Sequence, residues 1–596
     1  MVVPAMFLRA RFRLRVPVPS RHIAPWFAAA ALLAGFHPSS IAAEPAPPTA
    51  SARPPHPYPE RLQWWADARF GIFVHWGPVS LKGTEISWSR ANTNPKCPNQ
   101  GTIPADEYDG LYRTFNPTQF NAADWIGLAR DAGAGYLVLT AKHCDGFLLW
   151  PSQASDYHIG HSPFQRDVCG ELARAAHAQG FRLGWYFSPM DWRDPDFRTD
   201  RNAVFVGRMQ QELRELLGRY GRIDLLWFDW DAREPLYDQA STYALVNQLQ
   251  PRIVINNRLD LGATNSDRQI LSPHADYYTP EQHVGAYDDQ RPWESCMTTS
   301  RKDQWAWGGA NDGVKSLETC LDMLVRCAGG DGNLLLNIGP TPTGAVAPEQ
   351  AGLLRQIGAW LARNGEAIRG TRGGPYLPGD YGAATRKGNT VYLHLREWWT
   401  DPLPFPPLPA KLVRARRPDG GAVDVRSTPA GFEVSIPPAA RAPIVTVVAL
   451  ELDQPALSLG TVAVPDPISL TKGAKATASN VFQGEREYGP EKAVDGRTDT
   501  RWATDAGTRA AWLELDLGET RTFHRLRLRQ AFPELKRIRT FALETWTDGK
   551  WTPCHTGENP GATYAASFAP VTAQRVRLNI TEATDGPTIQ EFQLFP

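Results

Sequence analysis

This chain has no excess charge of either sign: 63 lysines and arginines meet 63 aspartates and glutamates. A chain with zero net charge projects no field that would draw it to nucleic acid or to an anionic membrane, so neither is an expected partner. Closely spaced cysteine pairs are missing too. Cys97, Cys144, Cys169, Cys296, Cys320, Cys327 and Cys554 include no CxxC spacing, which argues against a zinc ribbon or a redox motif. Their odd number leaves at least one thiol unpaired within the chain. Long apolar runs are absent beyond the N-terminus. The run there, residues 24–36 (APWFAAAALLAGF), is shorter than the roughly 20 residues a membrane span needs. It follows Arg9, Arg11, Arg13, Arg15 and Arg21 and precedes the small residues Ala42-Ala43. That is the pattern of an export signal over residues 1–43, with a retained anchor as the alternative. The expectation is export to the periplasm or the exterior, with no membrane insertion after cleavage. Nothing in the sequence sets the oligomeric state.

What is present is a long chain of ordinary globular composition. Its 596 residues exceed what one hydrophobic core organises. The 21 tryptophans and 17 tyrosines offer flat apolar rings with polar edges, suited to the C–H face of a sugar, although core packing explains most of them. Residues 44–56 (EPAPPTASARPPH) read as a linker. From 57 to 370, eight short apolar runs alternate with helix-like stretches: 71–76, 136–142, 182–188, 223–229, 252–258, 276–282, 293–299 and 333–339. Most are continuous rather than alternating, as in parallel strands buried on both faces. Eight such strands with helical crossovers predict a (β/α)8-like barrel, with a flavodoxin-like sheet as the competing topology. The sixth and seventh runs are the weakest. From 371 to 452, short alternating strands between Pro and Gly turns predict a small β-sandwich. Residues 453–468 form a second linker, and 469–596 a further all-β domain.

In such a barrel the C-terminal strand ends form the active face. The run ends carry His75, Lys142 with His143, Tyr186, Asp229, Arg258, Glu281 and Glu294, and together they predict one shared polar pocket. Asp229 follows Trp227 and Phe228 on an apolar strand, where a bare carboxylate is costly. It is either salt-bridged to Arg258 or chemically engaged. Two carboxyl groups flanking an anomeric carbon perform glycoside hydrolysis, one ionised and one protonated. Glu281 and Glu294 are the candidate partners, with Trp227 and Trp293 as apolar walls that would raise a carboxyl pKa. A metal hydrolase is the rival. Its barrels place two histidines on the first strand, whereas His75-Trp76 has Trp where the second would stand. The histidines are therefore expected to hydrogen-bond sugar hydroxyls, with charge tunable near neutral pH.

The motifs 70–78 (FGIFVHWGP), 139–147 (LTAKHCDGF), 227–229 (WFD) and 333–340 (NLLLNIGP) resemble glycoside hydrolase family 29, the α-L-fucosidases, over residues 60–372. The resemblance implies a barrel followed by a small sandwich, a fucosylated glycan as substrate, and a retaining mechanism needing no cofactor. By position it makes Asp229 the nucleophile and Glu281 the acid/base, with Glu294 the runner-up. It assigns His75, His143, Tyr186, Trp227, Arg258 and Trp88 to holding fucose. Many members carry two consecutive histidines where this chain has His143-Cys144, and a thiol is a weaker partner for a hydroxyl. The segments 84–90 (TEISWSR) and 293–296 (WESC) resemble the α-1,3/1,4-preferring subgroup; a broad-specificity enzyme and a non-catalytic glycan-binding protein are the alternatives. Residues 493–502 (AVDGRTDTRW) with 511–518 (AWLELDLG) resemble the factor 5/8 type C, or discoidin-like, domain, also known as carbohydrate-binding module family 32. That resemblance implies a structural Ca²⁺ with Asp495, Thr500 and Glu591 as oxygen ligands.

Overall fold

The structure is a computed structural model that describes residues 58–91, 101–229, 236–259, 273–465, 467–497, 499–532, 535–561 and 563–596. The expected export signal, the linker at 44–56 and Cys97 lie outside the described residues. Seven parallel strands form the first sheet: β1 Phe70–Val74, β2 Tyr136–Lys142, β3 Arg182–Phe187, β4 Leu225–Phe228, β5 Val254–Ile255, β6 Glu294–Thr298 and β7 Asn333–Ile338. Their order is β5-β4-β3-β2-β1-β7-β6. Every residue of β1, β2, β4, β6 and β7 is buried, which is why these runs show no alternation. The helices between them present one apolar stripe each. One example spans Ala122–Asp131, opened by the Asn121 side chain accepting from Ala123 N and Asp124 N.

The sixth run departs from expectation. Residues 276–282 form no strand and instead contribute isolated parallel bridges, Asn256 with Tyr277 on one side, and Tyr278 with Trp293 and Glu281 with Cys296 on the other. The segment thus lies between β5 and β6 and completes the circuit that seven strands leave open. This irregular closure is the physical content of the weak sixth signal.

Glu294 is corrected by its place on the strand. It is the first residue of β6, not the last, so it lies at the N-terminal end, away from the active face. There it is fully buried and accepts from Trp65 Nε1 at 3.2 Å, Trp227 Nε1 at 3.2 Å and the Tyr136 hydroxyl. Burial pushes its carboxyl up to about 7, against the pull of those donors. The buried pair of Arg69 and Asp331 fastens the same end.

After the barrel come β8 Arg372–Gly373, β9 Gly382–Lys387, β10 Thr390–Leu395, β11 Leu403–Phe405, β12 Leu412–Arg416, β13 Asp424–Thr428, β14 Gly431–Ser435 and β15 Thr446–Leu452. They make a five-stranded sheet, β12-β15-β10-β9-β8, and a three-stranded one, β11-β14-β13, over a shared core that includes Leu393, Phe405, Val434 and Leu450. The last domain contains β16 Lys475–Ala478, β17 Trp502–Ala503, β18 Ala511–Gln530, β19 Ile538–Thr547, β20 Lys550–Glu558, β21 Thr563–Ala583 and β22 Thr588–Phe595. All their pairings are antiparallel around Trp502, Leu513, Phe541 and Phe592. Among the described residues no helix is long and apolar enough to cross a membrane.

Glu294→Ala should therefore behave as a core lesion. It orphans three buried donors, each worth about 1–3 kcal/mol, so urea unfolding of the barrel should shift by roughly 3 kcal/mol or more. Activity should fall equally on substrates with good and poor leaving groups, because Glu294 supports Trp227 and donates no proton to substrate. A selective loss on poor leaving groups would contradict this placement.

Candidate active site

The C-terminal ends of the barrel strands surround a cavity of about 590 Å³ lined by His75, Trp88, His143, Tyr186, Trp227, Asp229, Arg258 and Glu281, with Phe73, Cys296 and Trp305. All eight residues assigned by position to catalysis or fucose binding, apart from the runner-up Glu294, meet there. Lys142 does not. It turns to the helix Asn202–Gly218 and a neighbouring loop, pairing with Glu212 at 2.7 Å and Asp191 at 3.2 Å.

Asp229 sits one residue past β4. Its Oδ2 accepts from the Tyr186 hydroxyl at 2.7 Å and its Oδ1 from Arg258 Nη1 at 3.0 Å. The salt bridge weighed against a chemical role is thus real, and Asp229 still opens onto the cavity. The same Nη1 reaches Glu281 Oε2 at 2.8 Å. Two carboxyl groups therefore share one nitrogen, and their nearest oxygens are no farther apart than those two contacts laid end to end. Arg258 is held rigidly: Nε donates to Thr279 Oγ1 at 2.7 Å, Nη2 to Thr279 O at 3.1 Å, and the guanidinium lies 4.5 Å over the Trp227 ring. The side chains of Arg258, Asp229 and Glu281 are 3%, 17% and 32% exposed. The cation is sealed and the carboxylates face the solvent in graded order.

The aromatic wall is built in layers. Tyr186 stacks between His143 (5.3 Å, 4°) and Trp227 (5.5 Å, 17°). Burial, reinforced by the Asp229 charge, raises the Tyr186 hydroxyl well above its ordinary value, so it stays protonated and donates. His75 Nδ1 lies 2.7 Å from Asn337 Oδ1, while Asn337 Nδ2 donates to Trp305 O at 2.6 Å. The second contact fixes the amide, so the assigned tautomer of His75 carries its proton on Nδ1 and keeps Nε2 as an acceptor. Burial, with His143 beside it, pulls His75 down to about 3; burial also lowers His143, whose Nδ1 shares a 2.6 Å hydrogen bond with Ser87 Oγ. Both imidazoles are neutral at neutral pH, which corrects the expectation of tunable charge. Cys144 does not line the cavity. It packs fully buried in the barrel core, 3.4 Å from His143 Nδ1.

Sequence reasoning missed Trp305, Phe73, Cys296 and the group that seats Trp305. Glu85 accepts from Trp305 N at 2.7 Å, Ala306 N at 3.3 Å and Ile86 N at 2.8 Å, and burial pushes it up to about 7. Gly339, just past β7, permits the approach, because a Cβ there would stand 2.4 Å from Trp307 N. Trp305 follows the pattern of no strand or helix, so only its tryptophan identity signalled it.

Of the three residues proposed for a cation in the last domain, Asp495 and Thr500 meet, and Glu591 binds the backbone of the same loop. Thr500 Oγ1 lies 2.9 Å from both Asp495 carboxylate oxygens, 3.5 Å from Lys492 O and 3.4 Å from Arg497 O. Glu591 Oε1 accepts from Gly496 N and Arg497 N on the same loop, and burial and Asp495 help push it up to about 7. A donor set of carboxylate, hydroxyl and carbonyl oxygens fits a hard cation such as Ca²⁺.

Known proteins resemble this chain in both its barrel and its last domain. The profile of the α-L-fucosidase family matches residues 42–366, and that of the F5/8 type C domain matches 475–592. Plasma α-L-fucosidase of Rattus norvegicus is 32% identical over 330 residues, 51% of this chain and 70% of the rat protein. Tissue α-L-fucosidase of Bos taurus is 30% identical over 363 residues, 56% of this chain and 75% of its own. Among solved structures, α-L-fucosidase isoenzyme 1 from Paenibacillus thiaminolyticus superposes with a TM-score of 0.59 at 29% identity, covering 66% of this chain and 99% of its own. A GH29 α-L-fucosidase from Bacteroides thetaiotaomicron, solved as a trapped covalent intermediate in complex with 2-fluoro-fucosyl fluoride, gives 0.58 at 27% identity, covering 67% and 98%.

The lowered His75 value carries a sign. The unfolded chain binds a proton near pH 6.5 that the folded site refuses until about 3, so His75 adds to the loss of stability as pH falls below about 6.5. Thermal melts from pH 7 to 5 should fall less steeply for His75→Gln than for wild type. Parallel slopes would remove His75 as a titrating group.

Proposed function

The chain belongs to the α-L-fucosidase family, and on that premise we propose that it releases terminal L-fucose with retention, Asp229 forming a covalent fucosyl-enzyme and Glu281 acting as acid/base. The observation that carries this reading is the shared contact of Asp229 and Glu281 with one Arg258 nitrogen. It is compatible with the roughly 5–5.5 Å between carboxyl groups in retaining glycosidases. The trapped covalent intermediate of the Bacteroides relative supports the same course. Asp229, aimed by Tyr186 and Arg258, attacks the anomeric carbon. Glu281, the more exposed carboxyl, protonates the departing oxygen and then takes a proton from the incoming water. His75 Nε2 accepts from a fucose hydroxyl, and the Phe73, Trp227 and Trp305 rings exclude water from the apolar side of the sugar.

For linkage we propose an α-1,3/1,4 preference, with broad specificity as the alternative. The support is narrower than the sequence implied. Trp293 and Glu294 are buried in the barrel and cannot touch a neighbouring sugar, so the preference rests on segment 84–90, where Trp88 reaches the cavity. Export to the periplasm or exterior, and a structural Ca²⁺ held by Asp495, Thr500 and Glu591, complete the proposal.

Asp229→Ala should lower turnover of an aryl fucoside by at least about a thousandfold, with partial rescue by azide. Glu281→Ala should chiefly slow poor leaving groups. Equal loss on good and poor leaving groups, with no azide effect in either variant, would refute the assignment. A panel of α-1,2, α-1,3, α-1,4 and α-1,6 fucosides reads the linkage preference.

Adding Ca²⁺ should raise the melting temperature of chelator-treated protein, and Asp495→Ala should abolish that gain. Turnover of an aryl fucoside should be the same with and without chelator. A chelator-sensitive turnover would assign the metal to catalysis instead.

A further inference from the structure

A second cleft, of about 640 Å³, lies where the middle sandwich meets the last domain. Its lining includes Trp398 and Trp399 from the segment after β10, and Arg525, Arg527 and Phe595 from β18 and β22. The junction is fastened by ions. Arg527, buried to 5% exposure, pairs with Asp380 at 2.7 Å and Glu397 at 3.0 Å, and Arg529 pairs with Asp380 as well. Those contacts consume Arg527. Arg396 is likewise paired, with Asp322 at 2.8 Å.

Arg525 is different. Among the described residues its guanidinium has no carboxylate within ion-pair distance; its recorded contact is the Phe595 ring at 5.6 Å. Burial, with Arg527 and Arg441 nearby, pulls it down to about 10, and Glu397 opposes this only in part. It therefore stays charged at neutral pH in a half-buried place, with the Glu397 charge nearby but no carboxylate in ion-pair contact among the described residues. The two tryptophans are not equivalent. Trp398 has the Arg441 guanidinium 4.0 Å over its ring. Trp399 is half-buried, with no ring partner and no hydrogen-bond acceptor among the described residues. At the N-terminal end of the barrel another arginine-rich cleft shows the ordinary case. There Arg61, Arg182, Arg222 and Arg252 each have a carboxylate partner.

We propose that this cleft is a second saccharide site, separate from the catalytic cavity, which takes an anionic sugar residue: its carboxylate or sulfate on the Arg525 fork and its ring face on Trp399. A guanidinium presents parallel N–H donors that match a planar or tetrahedral oxyanion, and the local dielectric strengthens an ion pair made there. An indole face suits the C–H face of a pyranose, and a half-exposed tryptophan loses little on being covered. The site's position between two domains would tether an acidic glycan chain to the enzyme without occupying the fucose pocket. This inference does not depend on the retaining mechanism or the linkage preference.

The test is isothermal titration of the full chain with three probes: oligogalacturonides for the carboxylate, carrageenan oligosaccharides for the sulfate, and dextran oligosaccharides as the uncharged control. One or both anionic probes should bind, and whichever binds identifies the anion. Arg525→Gln and Trp399→Ala should each weaken binding about tenfold or more. Asp229→Ala should bind as wild type, and turnover of an aryl fucoside should be unchanged in the Arg525 and Trp399 variants. Should Arg525→Gln unfold, Arg525→Lys, which keeps the charge but loses the fork, and Trp399→Phe carry the same comparison. No binding of either anionic probe, equal binding of dextran, or binding indifferent to these substitutions overturns the proposal.

Discussion

A single buried guanidinium sets the chemistry of this molecule. Arg258 is sealed from solvent, permanently charged and locked by three contacts to Thr279 and Trp227. Leaving such a cation unpaired would be prohibitive, so the fold must bring carboxylates to it, and the two that arrive are Asp229 and Glu281. Burial pulls the Arg258 value down, and Glu281 and Asp229 carry it above its ordinary range. The same requirement that stabilises the barrel mouth gathers a pair of carboxyl groups around one open volume. A structural salt bridge and the chemical role proposed for Asp229 are therefore compatible, because the ion pair holds the carboxylate at the cavity.

Around that pair the site relies on neutral hydrogen bonding. His75, His143 and Tyr186 are all moved by burial toward their uncharged forms, and each has one polar atom committed to the protein. Asn337 fixes His75, Ser87 meets His143, and Asp229 accepts the hydrogen bond of the Tyr186 hydroxyl. A sugar hydroxyl gains more from an oriented neutral acceptor than from a mobile charge that must first be desolvated. Glu85 extends this order outward. By gathering three backbone N–H groups it joins the 83–90 segment, which brings Trp88, to the loop that brings Trp305.

How much of this was legible in the sequence depended on regularity. Continuous apolar runs with polar ends located β1 to β4 and β7 and placed His75, His143, Tyr186 and Asp229 at one face, because the end of a parallel strand has a fixed relation to the pocket. Where the backbone is irregular, that relation fails. Residues 276–282 close the barrel by isolated bridges, and Glu281 reaches the cavity from a segment with no strand register to read. Glu294 shows the converse error. Grouped with the strand ends, it stands second in the run 293–299 and begins β6; position along a strand decides whether a buried carboxyl meets solvent or three core donors. Trp305 was hidden because long-range contacts from Glu85 and Asn337 place it, and no local pattern encodes them.

Net charge was the least informative property, and the reason is instructive. Equal numbers of acidic and basic residues remove any long-range field, but recognition at contact distance depends on whether a given ion is neutralised by its own neighbours. At the N-terminal end of the barrel every cleft arginine is within ion-pair distance of a carboxylate, although Arg182 and Arg222 share that of Asp224. At the junction of the last two domains the carboxylates of Asp380 and Glu397 are spent on Arg527 and Arg529, which hold the domains together. Arg525, on the same strand face and two residues away, is left over. A cation stranded by the demands of an interface costs stability unless something else meets it. A polymer that carries its own anion beside an apolar ring face meets it without disturbing the pairs that keep the two domains joined.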